Sequence, residues 1–256
     1  MASPRPYSGP LRERSSQRRR TRTARRWTIV GLLAATALVV TLLLAAFSSP
    51  SASQACLSSD PTLLDTGRPQ PILIALQGDV RIELPVSCLS VTAIGYHGAS
   101  ESALPLEPVG RQANEGIFDR ILHRLSGDDA AVVTYYQLSG GSGSRTGALD
   151  VGAPAGTAVY SPVNGTVVSI RDLVLDGRRY GHRIDVVPNE SPSVVVSIRR
   201  LRADPNLTVG SPVTSGTSKI GVVMDLSRAE EQALSRVTND PGNHVTIEVR
   251  PAANLG

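Results

Sequence analysis

Hydrophobic positions along the chain form one long uninterrupted run followed by many short ones. The long run, residues 28–47, reads TIVGLLAATALVVTLLLAAF and contains no charged residue. Twenty residues at about 1.5 Å each span about 30 Å as a helix, which is the thickness of a bilayer core. The pattern therefore predicts a single transmembrane helix over residues 28–47.

A cleaved signal peptide is the alternative for this segment. Ser53 and Ala55 are small residues at the positions that a signal peptidase reads, but the apolar run is longer than the ~7–15 residues usual in a signal peptide. Lipidation of Cys56 is disfavoured, because Ser53 stands where a lipobox has an aliphatic residue. A transmembrane helix and a cleaved signal peptide would both export the C-terminal part of the chain.

Charge is concentrated at the N-terminus. Residues 1–27 hold nine arginines and one glutamate, a net charge of +8, so the total of +4 leaves −4 for the remaining chain. Arginines before an apolar helix favour a cytoplasmic N-terminus and also attract anionic lipid. We therefore expect a single-pass protein of the cell membrane, with an Arg-rich cytoplasmic tail and an extracytoplasmic C-terminal domain. No nucleic-acid partner is expected.

The two cysteines, Cys56 and Cys88, both follow the apolar run and so lie on the exported side, where disulfides persist. Their number excludes a disulfide-dense scaffold and a four-cysteine zinc site. A bridge between them would close a loop of about 32 residues. Two unpaired thiols are the alternative.

Short β-branched runs bounded by Gly or Pro predict a mainly β fold beyond a Ser/Pro/Ala-rich linker at residues 48–70. A small β/helix region of unknown function is expected at 71–138 and a second β domain at 139–256. The first region has predicted strands at Ile72–Leu76, Val80–Leu84, Leu89–Ile94 and Ala130–Leu138, with a short amphipathic helix at 113–125.

The second region alternates predicted strands and turns. A capping box that opens at Ser227 predicts one helix, SRAEEQALSRV. The predicted strands are Ala158–Ser161, Thr166–Arg171, Ile184–Val187, Val194–Ile198, Gly221–Met224 and His244–Arg250.

Three stretches of the second region, in their order and spacing, resemble the LytM/lysostaphin-type zinc metallopeptidases that cut peptidoglycan cross-bridges. That family has H-x-x-x-D, A-P-x-G-T-P-V and A-x-x-G-x-V, a Tyr-Gly pair, and a closing H-x-H-F-E-V. The matching stretches are LDVGAPAGTAV with SPVNGTV (149–167), Tyr180-Gly181, and VGSPV (209–213) through HVTIEV (244–249). The resemblance implies a barrel-sandwich-like β domain with a few short helices and a zinc site on the floor of its sheet.

The resemblance also places the family's three zinc ligands, of which this sequence keeps one. Asp150 stands at the aspartate of H-x-x-x-D, and Thr146 stands at its histidine. His244 matches the first histidine of H-x-H, and Thr246 replaces the metal-binding second. Zinc is held by thiolate, imidazole and carboxylate groups, so we expect no zinc cofactor unless other ligands are recruited.

Other positions complete the candidate site. Arg200 stands where the family has a histidine that supports catalysis, and its charge would oppose cation binding. By the resemblance, we assign His244 as a remnant catalytic residue, Asp150 as a remnant ligand, and Asp150, Arg200 and His182 to a substrate groove. The alternatives are a surface or hydrogen-bonding role for His244, a structural role for His182, and an Asp150 that caps a turn or pairs with an arginine such as Arg200. His97 and His123 lie outside the resemblance.

The function implied is that of a membrane-anchored cell-envelope protein with a degenerate, non-catalytic LytM-type domain. Such a domain would bind peptidoglycan or regulate a cell-wall hydrolase. One alternative is an active zinc endopeptidase in which His182, His244 and Asp150 converge as rearranged ligands. Another is a structural envelope protein whose function resides in residues 71–138.

Overall fold

The computed structural model describes residues 32–41, 68–69, 71–114, 133–175, 177–227 and 231–254. The chain divides into two units, residues 1–49 and 50–256. In the first unit, residues 32–41 are helical and exposed. No helix within the described ranges is long and apolar enough to cross a membrane. Most of the predicted span at 28–47 lies outside these ranges, so the transmembrane helix stays a prediction.

The second unit is built from β-strands, which confirms the mainly β class. Its described residues form fourteen strands: β1 Leu73–Gln77, β2 Val80–Glu83, β3 Ile94–His97, β4 Glu107–Pro108, β5 Arg111–Gln112, β6 Thr134–Gln137, β7 Ala148–Gly152, β8 Ala158–Tyr160, β9 Gly165–Leu175, β10 Arg178–Pro188, β11 Val194–Ala203, β12 Pro212–Val213, β13 Lys219–Val223 and β14 His244–Pro251. Short 3-10 turns lie at Cys88–Ser90, Ala233–Arg236 and Ala252–Asn254.

The strands form two sheets. The small sheet has the order β2-β1-β4, and the large one has the order β12-β9-β10-β11-β14-β7-β3-β6-β5, with β13 pairing β11 and β8. In the large sheet β3 lies antiparallel to β7 and parallel to β6. Strands from residues 71–138 and from 139–256 are therefore hydrogen-bonded to each other. The functional division at residue 138 stays a prediction.

Several predicted elements differ from the observed ones. The predicted strand Leu89–Ile94 is wrong, since a 3-10 turn occupies Cys88–Ser90 and β3 begins only at Ile94. The helix predicted from Ser227 is wrong over its later part, where the only helical turn is the 3-10 turn Ala233–Arg236. Its residues 228–230 lie outside the described ranges. Most of the helix predicted at 113–125 also lies outside them. Cys88 is buried and disulfide-bonded.

Alternation along the central strands gives the large sheet an apolar face. Directly opposite residues in five consecutive strands form a fully buried row, since successive side chains of a strand point to opposite faces. The row consists of Ile184, Ile198, Ile247, Leu149 and Tyr96. The Tyr96 hydroxyl donates to the Ile74 carbonyl at 2.6 Å, which joins the two sheets through the core.

A β-bulge interrupts the pairing of β10 with β11. His182 lies opposite Leu201 and Arg183 lies opposite Arg199, so Arg200 is the extra residue. Arg200 has φ +66° and is the only non-glycine residue in the described ranges with positive φ. Nearby, Gly181 has φ +93°, and a Cβ there would lie 2.6 Å from the Leu201 carbonyl oxygen. The glycine of the Tyr-Gly pair is therefore required by backbone conformation and by the close approach of β11.

Candidate functional site

The other face of the central strands is polar. One cross-strand row joins Arg171, Arg183, Arg199, Thr246 and Asp150, each directly opposite the next. A parallel row joins Ser169, Asp185, Ser197, Glu248, Ala148 and His97. Successive side chains of a strand point to opposite faces of the sheet. Both polar rows flank the buried apolar row along each strand, so both lie on the opposite face.

Asp150 is the centre of the polar face. Its carboxylate is buried, and its Oδ1 accepts a hydrogen bond from the Thr246 hydroxyl at 2.7 Å. Its Oδ2 lies 3.1 Å from Nε2 of His97 and 3.4 Å from Nε2 of His244. Both carboxylate oxygens are thus engaged by side chains of this chain. We refer to Asp150, Thr246, His97 and His244 as the Asp150 cluster.

Both imidazoles of the cluster are fixed at their other nitrogen as well. Nδ1 of His97 lies 2.6 Å from the Gly98 carbonyl oxygen, and Nδ1 of His244 lies 2.7 Å from that of Gly242. Each ring therefore faces an acceptor at both nitrogens, and a ring that carries two protons donates to both.

Electrostatics follow from this geometry. Burial is the largest influence on the pKa of His97 and lowers it, but the hydrogen bond and charge of Asp150 outweigh burial and raise that pKa above its ordinary value. Burial likewise raises the pKa of Asp150, yet the charge of His244 and the hydrogen bonds from His97 and Thr246 hold that pKa well below its usual range. The buried carboxylate is therefore stabilised in its charged form.

The two threonines that the sequence resemblance places at zinc-ligand positions differ in their contacts. Thr246 donates directly to Asp150. Thr146 is half-buried, its Oγ1 lies 3.4 Å from the Ser144 hydroxyl, and its carbonyl accepts from the Leu106 amide. Within the described ranges its side chain makes no hydrogen bond to Asp150.

His182 lies apart from the Asp150 cluster. Its Nδ1 accepts from the Ala203 amide at 3.2 Å, and its Nε2 lies 3.5 Å from Asp172. The structure therefore brings His244 to Asp150 but does not bring His182 there. Arg200 donates to Gln232 at 2.6 Å and is close enough to act electrostatically on His97.

His97 is the site residue that sequence reasoning missed. It ends the apolar strand β3, 53 positions before Asp150, and reaches the cluster because β3 pairs with β7. A polar residue at the end of an otherwise apolar strand was the available signal. Sequence alone does not reveal which strand lies beside β7.

The donor set does not fit the zinc site that the resemblance implies. Thr146, Asp150 and Thr246 supply a single good zinc donor. The imidazoles of His97 and His244 approach one shared carboxylate oxygen. Across the part of the chain that the structure describes, no three His, Cys, Asp or Glu side chains are grouped so that they could hold a metal ion.

Arginines and acids alternate beside the cluster. Arg199 forms an ion pair with Glu248. Oδ1 of the fully buried Asp185 accepts from Nε of Arg183 at 2.7 Å and from the Ser197 hydroxyl at 2.6 Å. Oδ2 of Asp185 is buried and has no hydrogen-bond partner among the described residues. The polar face therefore carries a network of charged pairs on β14, β11 and β10 beside Asp150.

Comparison with known proteins yields partial similarities. No protein-family model matches the chain, and no curated protein matches it. Similar solved structures include lysostaphin, at 17% identity over 41% of this chain and 36% of that chain, with a TM-score of 0.30. A zinc-containing peptidase from Vibrio cholerae is similar at 20% identity over 41% and 26%, with a TM-score of 0.30. The deep-sea M23 metalloprotease pseudoalterin is similar at 16% over 43% and 58%, with a TM-score of 0.29. The chain spans less than two thirds of the length of each.

Proposed function

We propose that this chain is a cell-envelope protein, anchored in the membrane by residues 28–47, whose LytM-type domain binds peptidoglycan or regulates a wall hydrolase without cleaving the wall. The observation that carries this proposal is the set of contacts that the Asp150 carboxylate makes. Both of its carboxylate oxygens are engaged, one by the Thr246 hydroxyl and the other by His97 and His244. The remnant ligand is thus part of a buried hydrogen-bonded cluster.

The chemistry of hydrolysis explains why we expect binding without cleavage. A catalytic zinc site has three protein ligands and an open position, where the metal lowers the pKa of a bound water. At one of the lost ligand positions, the Thr246 hydroxyl donates a hydrogen bond to Asp150, the one ligand that remains. A sheet face that has lost two imidazole ligands can still offer its polar groups to a wall peptide.

A second candidate is an active zinc endopeptidase with rearranged ligands. The observation in its favour is that His97 and His244 each direct Nε2 at Asp150 and bind a backbone carbonyl through Nδ1. Imidazoles that ligate metals commonly have such a partner at the other nitrogen. In this candidate His97 replaces His182 in the expected ligand set, and zinc would have to displace both imidazole contacts with Asp150.

Zinc content and wall degradation distinguish the two candidates. The full chain is incubated with zinc, desalted and analysed by mass spectrometry, and it is separately mixed with purified peptidoglycan sacculi. We expect near-zero zinc, sedimentation of the protein with sacculi, and no release of soluble fragments. The second candidate would be established instead by two results. The protein would hold about one equivalent of zinc, lost in His97→Ala and His244→Ala but kept in the control His182→Ala. It would also release soluble fragments from sacculi, and a chelator would stop that release.

Binding and anchoring have their own tests. A protein that neither sediments with sacculi nor captures an envelope protein in a pull-down would refute the non-catalytic function. The proposed anchor predicts that the full chain stays in the membrane fraction after an alkaline wash. A variant lacking residues 28–47 should appear in the soluble fraction.

A further inference from the structure

Three arginines lie directly opposite one another on the polar face. Arg171 of β9 pairs with Arg183 of β10, and Arg183 pairs with Arg199 of β11. Directly opposite side chains on one face of a sheet are about 5 Å apart at Cβ, and like charges in such pairs are destabilising. An uninterrupted row of three guanidinium groups is therefore an arrangement that the fold alone does not favour.

Carboxylates of this chain balance only part of the row. Arg183 is paired with Asp185, and Arg199 is paired with Glu248. Arg171 is exposed, and none of the ion pairs found within the described ranges involves it. The side chains of Arg183 and Arg199 are 21% and 30% exposed, so all three reach solvent.

The bulge adds further positive charge to this surface. Arg200 follows Arg199 directly in β11. Burial and the charges of Arg200 and Arg183 lower the pKa of Arg199, against Asp150 and Asp185, which raise it. Arg199 lies directly opposite Thr246, so the arginine row adjoins the Asp150 cluster. Arg200 holds a left-handed conformation that is costly for a residue with a Cβ, and such conformations gather at functional sites.

We propose that Arg171, Arg183 and Arg199 bind the carboxylate groups of a peptide that lies across β9, β10 and β11 beside the Asp150 cluster. The proposal rests on the proposed function, because peptidoglycan stem peptides carry free carboxylates and would be the ligand. It adds the chemical group of the ligand, a carboxylate, and the three arginines that recognise it.

Geometry favours a peptide over a small anion. Neighbouring strands are about 4.8 Å apart, so the row from Arg171 to Arg199 spans about 10 Å. An extended peptide of about three residues covers that distance, whereas a single acetate or phosphate reaches one or two of the arginines. The planar guanidinium fork also matches a carboxylate through two parallel hydrogen bonds.

The test measures binding of a synthetic stem tetrapeptide with free carboxylates to the full chain by isothermal titration calorimetry. The same peptide with its carboxylates converted to carboxamides is the chemical control. Arg171→Gln is the main variant, because no ion pair within the described ranges is lost with it. Arg81→Gln, which changes an exposed arginine of β2 in the small sheet, is the matched control.

We expect the wild-type protein to bind the free-acid peptide. The wild type should bind the carboxamide peptide, and Arg171→Gln should bind the free acid, about 3- to 10-fold more weakly. Arg81→Gln should bind the free acid as tightly as the wild type does. Binding of the acid should also weaken as salt is added. Equal binding of acid and carboxamide, or no effect of Arg171→Gln, would overturn the arginine site while leaving the proposed function intact. Failure of both peptides to bind would overturn the arginine site. If the protein also neither sedimented with sacculi nor captured an envelope protein in a pull-down, the proposed function would be overturned as well. Tighter binding of a phosphate-rich wall polymer, lost in Arg171→Gln, would overturn the peptide ligand.

Discussion

The hydroxyl of Thr246 donates a 2.7 Å hydrogen bond to Oδ1 of Asp150, across a gap of 96 residues in the sequence. The two residues are directly opposite on β14 and β7, and both are buried. In the resemblance to the LytM-type enzymes these are two zinc-ligand positions. Here the Thr246 hydroxyl and the Asp150 carboxylate satisfy each other, so the pair links β14 to β7 through side chains as well as through the backbone.

Loss of this hydrogen bond should destabilise the fold. Thr246→Val keeps the shape of the side chain but removes the donor, leaving Oδ1 of the buried Asp150 without a partner. Hydrogen bonds to charged groups contribute about 1.5–3 kcal/mol, and we expect a loss of that order in the free energy of unfolding. Urea denaturation followed by circular dichroism measures it.

The matched control is Thr166→Val, which makes the same change at an exposed position of β9. Its effect should remain within about 0.5 kcal/mol. Equal destabilisation by both variants would mean that the contact with Asp150 contributes nothing specific.

Restoring the family's ligands should create a metal site. The double variant Thr146→His and Thr246→His places imidazoles at both positions that the resemblance assigns to zinc, with Asp150 as the third ligand. We expect about one equivalent of zinc in the folded variant after incubation and desalting, measured by mass spectrometry, and near zero in the wild type.

A further substitution, Asp150→Ala in the double variant, is the control and should abolish the bound zinc. A correctly folded double variant that takes up no zinc would show that residues 146 and 246 do not correspond to the family's ligand positions.

The sequence was most informative where apolar and polar residues alternate. Ile184, Ile198 and Ile247 were predicted within strands, and they form the buried cross-strand row. Strand β7 was missed because its residues are buried on both faces and include Asp150, so the usual alternation is absent. A charged residue in a short segment is typical of a loop unless its buried partners are known.

The site was only partly predictable for a related reason. His244, Asp150 and Thr246 were found because motif spacing fixes their positions along the chain. His97 was missed and His182 was misplaced as a ligand of the rearranged site, since their contacts depend on which strands are neighbours. Strand order is set by long-range packing, which a local pattern does not encode.

Stability should depend on pH through the Asp150 cluster. The pKa of His97 is raised above its ordinary value of 6.5, chiefly by Asp150 acting against burial. The contribution of protonated His97 to the free energy of unfolding is therefore fully present below about pH 6.5. It is lost as the pH rises through the folded-state pKa of His97. The pKa of Asp150 is lowered by His244, His97 and Thr246 against burial, so its contribution is present above its ordinary value of 3.8 and lost in strong acid.

Denaturation across this range checks the sign. Between pH 6 and 8 the free energy of unfolding of the wild type should fall, and His97→Gln should flatten that dependence. His182→Gln leaves the contact between His97 and Asp150 intact and should keep the wild-type slope. A wild type whose stability rises from pH 6 to 8 would contradict the charged pairing.

The backbone at Arg200 can be tested apart from its side chain. Arg200 has φ +66° in the bulge between β10 and β11, a conformation that costs about 1–2 kcal/mol for residues with a Cβ. Arg200→Ala and Arg200→Gly both remove the hydrogen bond to Gln232, but only the glycine relieves the backbone. We expect Arg200→Gly to be about 1 kcal/mol more stable than Arg200→Ala in urea denaturation, since the strain relieved exceeds the extra unfolded-state entropy of glycine.

The same pair of substitutions at Arg202, an exposed residue of β11 without positive φ, should give the reverse order, because glycine is unfavourable in an ordinary strand. If alanine were the more stable residue at both positions, the bulge would not impose strain on Arg200, and the left-handed conformation would no longer support a functional role for the basic surface.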